Sequence, residues 1–532
     1  MAVVAGALAL VVASHAALAV EPTLPPIPDR PAAELFKDVP APWRDYLLQA
    51  RAAERIADPQ QRCLAYPDIP GNQWPAGHAR AHCLDHTVRG MEMAAAQRLL
   101  DTGKLDELDA YVRRAEAEHA RKVDASEEIH YFFAQFALEG ADAFTAAWLK
   151  ARPDSPYALT ARANFLSGAA RRARGGAYAS ETLRENMRQM TTYYDQALPL
   201  YRKAVQGAPG LIEAWNGILS LAYRDSRGEL EVEAFNAATA IDPGCQDLVD
   251  IRMTSLQPRW GGSYEDMLAY AEALKPLLAT RPILARQVAA PYGDRGDRLI
   301  AAKELGAEAR DILDIAVRIG SNEDYLIDGG KVAWQSEVPG VQDRWKGLAY
   351  LMQAARFGVR DEWTHRMIAW GRLRDAPEIS ARNIEIALKE APDSALLHYI
   401  AGAAYYNSKR PAQAEPHYLK AAGDPKDTEN RQASLRELVT MWMFDAGLSP
   451  KEGSAKAKPF LDRLIREFPD DGRARMYRIQ SEGALNGRIS DEAVKEFEKR
   501  ADPKDPAQAR FLKSFAEARK NPMMRIPPAK AK

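Results

Sequence analysis

Cysteine is scarce in this chain. Cys63, Cys83 and Cys245 are the only three in 532 residues, enough for one bond with one thiol left over. There is no excess of either charge: 72 basic and 73 acidic residues give a formal net charge of -1. That balance, with the charges well mixed along the chain, offers nothing to nucleic acid or to an anionic membrane surface. The motifs of common chemistries are missing as well. No GxSxG, GxGxxG, phosphate loop or HExxH occurs. Each of these places a nucleophile, a phosphate cradle or a metal at fixed spacing, so their absence leaves no catalytic site legible in the sequence. Nor does any stretch alternate with the period of two that marks a half-buried strand.

One long apolar run is present, at the N-terminus. Residues 2–19, AVVAGALALVVASHAALA, end in the small-x-small pattern Ala17-Leu18-Ala19, which suits a signal peptidase. No Lys or Arg precedes the run, and no cysteine follows it directly to take a lipid. A cleaved signal with export to the periplasm or beyond is the expectation; an uncleaved membrane anchor is the alternative. No other segment is a candidate span. In an oxidising compartment Cys63 and Cys83 are candidates for a disulfide, which would stabilise by roughly 3 kcal/mol. Cys245 then remains as a buried thiol.

After a Pro-rich stretch over 20–42, a short amphipathic helix is expected over 43–57 and a long loop over 58–77, rich in Pro and Gly. From 79 onward apolar residues recur three and four apart, as in Leu105, Leu108, Tyr111 and Val112. The chain therefore reads as all-α.

An internal period organises these helices. Tyr201, Ala204 and Pro209, moved by 34 residues, become Phe235, Ala238 and Pro243. Ala197 does not repeat, since Glu231 stands at its offset. The spacing has a physical logic: small residues let helices approach, an aromatic fills the gap between them, and proline ends the helix. The set returns as Gly402, Tyr405, Ala414, Tyr418 and Ala421, and more faintly as Tyr477, Ala493 and Phe497. The stretches QALPLYRKAVQGAPGLIEAW and QAEPHYLKAAGDP resemble tetratricopeptide repeats, including Pro199 and Pro416 inside the second helix. That resemblance implies a solenoid of antiparallel helix pairs, an α-α superhelix, which binds a protein or peptide along its groove. A second resemblance rests on Trp148, Pro153 to Pro156 (PDSP), Ala173 to Gly176 (ARGG) and Pro258 to Ser263 (PRWGGS). With these, residues 84–285 are similar to a bacterial helical-repeat family of unknown function.

The expected organisation is a signal over 1–19, a Pro-rich segment over 20–83 and a repeat domain over 84–320. A Trp-rich bridging segment follows over 321–380, then further repeats over 381–510 and a disordered basic tail over 511–532. The expected function is an exported scaffold for an unknown protein or peptide, with Trp215, Asn216 and Tyr405 as groove candidates. Arg259 and Trp260 are a further candidate contact: a guanidinium fork beside a flat ring, in a corner that packing alone also explains. No cofactor is expected; the alternative is zinc on His78, His82 and His86, which stand four apart beside Cys83 in a row with metal-ligand spacing. The alternative to a scaffold is an enzyme or metal-binding protein with its site in the loops at 58–86 or 258–264.

Overall fold

The computed structural model describes residues 25–29, 31–87, 90–120, 128–177, 181–444 and 447–520. Among them are 27 α-helices, several short 3-10 turns and no strand. Sequential helices pack on each other, as Pro156–Arg174 does on Arg184–Gly207 and Ala395–Asn407 on Pro411–Gly423. Partners packed side by side and joined by a few residues must run antiparallel. The architecture is all-α, built of tetratricopeptide-like helix pairs.

The repeat residues account for the pairing. Ala197, Tyr201, Ala204, Ala414, Tyr418 and Ala421 are all buried. The Tyr418 ring lies so close to Gly402 that a Cβ there would sit 2.6 Å from it, and Tyr201 closes on Gly217 at 2.4 Å. No other residue type fits such an approach. Helix starts are written in side chains: Ser155, Ser394 and Ser449 each accept from a backbone N–H three residues on. Prolines at 209, 243, 392 and 469 follow the helix ends. The helices around Pro199 and Pro416 continue through them.

Contacts divide the chain into two compact units. The larger spans Asp29–Gly371; the smaller consists of Arg372–Lys532 with Met1–Pro28. The Trp-rich segment expected as a bridge belongs to the larger unit up to Gly371. There it carries the N-terminal segment: Leu35, Phe36, Tyr46 and Leu47 share a core with Leu348, Leu351 and Ile368. The expected loop at 58–77 contains the helix Pro59–Ala65, started by the Asp58 carboxylate accepting from Gln61 N–H. Asp-Pro is a helix-start signal that the density of prolines concealed. Cys63, on that helix, is bonded to Cys83, and Cys245 is a buried thiol.

The expected tail is also shorter than 511–532. Helix Pro506–Lys520 runs through its first part, with Phe511, Leu512 and Phe515 packed on the core. Phe511 meets Phe497 edge-on at 5.5 Å. The apolar face is plain in the sequence but is shadowed by the charged residues beside it. The proposed signal, residues 1–19, and the last residues, 521–532, lie outside the described residues. No helix among the described residues is long and apolar enough to cross a membrane.

Candidate functional site

Six helices of the larger unit bring polar side chains to one seam. Helix His78–Thr87 contributes His78, His82 and Asp85, spaced along one stripe. Helix Glu128–Ala134 turns Ile129, Phe132 and Phe133 into the core, which leaves His130 and Tyr131 for the other side. Helix Ile212–Arg224 buries Ile218 and Leu219 and presents Glu213 and Asn216. Helix Gln246–Ser255 buries Leu248, Val249 and Met253 and presents Gln246, Asp247 and Asp250. Arg286 comes from the short helix Ala285–Val288, and Glu323 opens helix Glu323–Gln335.

Arg286 is the hub of one half. It reaches Glu323 at 3.1 Å and Asp85 at 3.4 Å. The Tyr131 hydroxyl donates to Asp85 at 2.9 Å. Burial opposes ionisation of Glu323, but Arg286 and His82 outweigh it and hold the carboxyl near about 2. His130 centres the other half, its Nδ1 lying 3.4 Å from Asp247 and 3.6 Å from Glu213. Burial acts against a charged His130, yet the two carboxylates win and raise its pKa well above the ordinary value. At Asp250 burial outweighs the pull of Arg286 and His130 and pushes the carboxyl up to about 7. Side-chain exposures of 4% for Glu213, 18% for Asp247, 17% for Arg286 and 32% for His130 place the seam between core and solvent. Removing this many charges from water opposes folding unless something else is gained.

The histidine row takes another role. The Pro282 carbonyl can only accept, so His78 Nδ1 donates to it at 2.7 Å; His78 Nε2 accepts from the Ser321 N–H at 3.0 Å. The Ser321 hydroxyl bridges to His82 Nδ1, and His82 Nε2 meets Glu323 at 3.0 Å. All four ring nitrogens are thus engaged by the protein, and His78 Nε2 and His82 Nδ1 both meet the Ser321 hydroxyl at 2.7 Å. His82 lies flat on Phe357, ring centres 3.8 Å apart. Burial pushes His78 down to about 3. The side chain of His86 lies outside the described residues.

The groove candidates separate. Tyr405 is fully buried and donates to Glu385 at 2.9 Å, so it is a core residue and not a groove residue. Its repeat position packs between helices, which the aromatic itself does not reveal. Trp215 is half-buried, its indole N–H donating to the Pro209 carbonyl. Asn216 does reach the seam: its Nδ2 donates to Cys245 Sγ at 3.6 Å, and it adds to the effect of His130, which holds the Asp247 carboxyl below its ordinary value against burial. Arg259 and Trp260 form a corner. Gly261 has φ 96, and a Cβ on Gly262 would lie 2.1 Å from the Leu256 carbonyl oxygen. Trp260 stands edge-on to Tyr223 with Arg174 and Arg224 over its ring, while Arg259 faces Asp294 at 3.6 Å. Sequence reasoning missed the seam because its members come from six separated helices, each looking like an ordinary charged helix face.

The smaller unit has a groove of its own, about 690 Å³ in volume, lined by Arg436, Asp471, Arg473, Arg500 and Asp505 among others. Its charges close on each other: Arg436 with Asp471 and Arg473 with Asp505, both at 2.6 Å.

No protein-family model matches the sequence, including any for the bacterial helical-repeat family that the 84–285 motifs resemble, and no curated protein matches it. Solved structures similar in part include the APC/C hetero-tetramer Cut9-Hcn1, at 11% identity and TM-score 0.26, covering 86% of this chain and 96% of that one. Another is the human IFIT1 dimer with m7Gppp-AAAA, at 14% identity and TM-score 0.22, covering 79% of this chain and 89% of that one. Scores this low carry no argument, so the fold rests on the helix pairs described above and the site on its own geometry.

Proposed function

We propose that the chain is a protein- or peptide-binding scaffold, and that its binding face is the polar seam of the larger unit. The observation that carries this is the sign of the seam. Asp85, Glu213, Asp247, Asp250 and Glu323 face Arg286 and His130, an acidic surplus held half out of water. A partner segment with a basic side chain satisfies that surplus; packing does not require it.

Export belongs to the same proposal. The apolar 2–19 run supports it, and so does the Cys63–Cys83 bond, since such bonds persist in oxidising compartments. A bacterial periplasmic or secreted location fits both.

Site-specific photo-cross-linking in the native host tests the reading. A photoreactive residue at Gln246, in the seam, is compared with one at Val232, which is 60% exposed on helix Gly228–Ile241. A discrete adduct from position 246 that weakens with added salt and is absent from position 232 supports the proposal. No adduct from 246, or the same adducts from both positions, contradicts it.

A further inference from the structure

We propose that His130, Glu213 and Asp247 bind a divalent transition-metal ion, zinc being the best fit. This goes beyond the scaffold reading: it assigns Glu213 and Asp247 to an ion and leaves Asp85, Asp250 and Glu323, around Arg286, as the acids that a basic partner segment would meet.

The geometry comes first. The nearest ligand atoms of the three side chains all lie within 4.8 Å of one another. His130 Nδ1 is 3.4 Å from Asp247 Oδ2 and 3.6 Å from Glu213 Oε2. These separations exceed an ordinary N–H···O hydrogen bond of about 2.9 Å. They match the edge of a coordination tetrahedron instead: an ion held at about 2.1 Å keeps its donors about 3.4 Å apart. The ligands come from three different helices, each fixed by its buried apolar side, so the donor triangle is set by the fold.

A second observation points to a missing partner. Glu213 is 4% exposed, and its other oxygen, Oε1, has no hydrogen-bond partner. Asn216, one helical turn on and 1% exposed, likewise leaves Oδ1 without one. Buried acceptors seldom go unsatisfied, because each costs the desolvation of a polar atom. A carboxylate turned toward a cation or its bound water meets that need.

The donor set selects the ion. One imidazole nitrogen and two carboxylate oxygens suit zinc and its first-row neighbours, whereas magnesium and calcium prefer all-oxygen shells. Two carboxylates neutralise a dication. Three protein ligands leave a fourth position open, and the 32% exposure of His130 gives a path from solvent. Asn216 helps hold Asp247 ionised and is placed to orient a ligating carboxylate from outside the ligand set. The bland reading is a histidinium clasped by two acids. It explains the charges but leaves Glu213 Oε1 with no partner.

The experiment uses the full chain without a polyhistidine tag, stripped with chelator and titrated with Zn²⁺ alone by calorimetry. Co²⁺ serves as a visible-absorption probe of tetrahedral geometry. The expected result is one ion per chain, with affinity falling at least tenfold in each of His130→Gln, Glu213→Gln and Asp247→Asn. The control His119→Gln, which alters another His–carboxylate pair, should leave it unchanged. Far-UV circular dichroism confirms that each variant is folded, and the wild-type titration stands whatever the variants do. No stoichiometric binding by the wild type, or binding that survives all three substitutions, overturns the proposal. No partner protein enters this assay, so failure here leaves the scaffold reading to its own cross-linking test.

Discussion

The two units differ in where charge gathers from several helices at once. In the smaller unit, acids and bases close on one another at helix ends and along exposed faces, as in Arg473–Asp505 and Lys458–Asp462. In the larger unit, Arg286, Glu323, Asp85, Asp247 and His130 meet at a half-buried seam fed by several helices. The first arrangement is what a solvated helical surface does by default. The second opposes folding through desolvation, and part of it lies inside a repeat, since Glu213 belongs to the stretch QALPLYRKAVQGAPGLIEAW. Helix Ala395–Asn407 keeps the pattern, and its buried face is nearly all apolar. Helix Ile212–Arg224 gives two of its inward positions to Glu213 and Asn216. Departure from the repeat at inward positions, more than adherence to it, marks the proposed binding face.

Substitution sharpens that contrast most. Arg286→Met strands Asp85 and Glu323 without their cation, and breaking a buried pair from one side costs about 3 kcal/mol or more. Lys458→Met, which removes half of a pair whose members are both 55% exposed, costs about 0.5 kcal/mol or less. Urea denaturation of the two variants measures both. Equal losses would erase the distinction between the units.

Acid gives a smaller effect with a definite sign. His78 is held at about 3 in the folded chain, against 6.5 for a free side chain. Burial is the main cause, with His82, Arg286 and Arg356 adding positive charge nearby. Between those values the unfolded chain takes up a proton that the folded chain refuses. The stabilising contribution is therefore complete above pH 6.5 and is lost as pH falls toward 3. From pH 7 to pH 5 the loss is about 2 kcal/mol. Wild type should lose that much more than His78→Gln over this interval in denaturant titrations, and parallel losses would remove the argument.

Much of the fold was legible because helix pairing is a local matter. Tyr201, Ala204, Tyr418 and Ala421 announce it through spacing alone, and glycine, serine and proline mark the ends. Helices Pro59–Ala65 and Pro506–Lys520 were hidden because proline density and charge density outweighed their capping signals, Asp58-Pro59 and Asp505-Pro506. The site was hardly legible. Asn216 was the one groove candidate that reaches the seam, while Tyr405 belongs to the core. His78 and His82, whose spacing suggests a metal, spend their nitrogens on Pro282, Ser321 and Glu323. His130, Glu213 and Asp247 have no spacing to notice, for only the stacking of three helices brings them together.

The central claim is that charge in the seam is kept for a ligand at some expense of stability. Asp250 tests it most directly, since burial holds its carboxyl up at about 7, so that at pH 8 it is mostly ionised in a setting that opposes its charge. The measurement is the thermal midpoint of Asp250→Asn at pH 8, taken with the adduct yield from a photoreactive residue at position 246. The account predicts a midpoint equal to or above that of wild type and a reduced yield. A midpoint several degrees lower with the yield intact would show that Asp250 serves the fold, and would contradict the account.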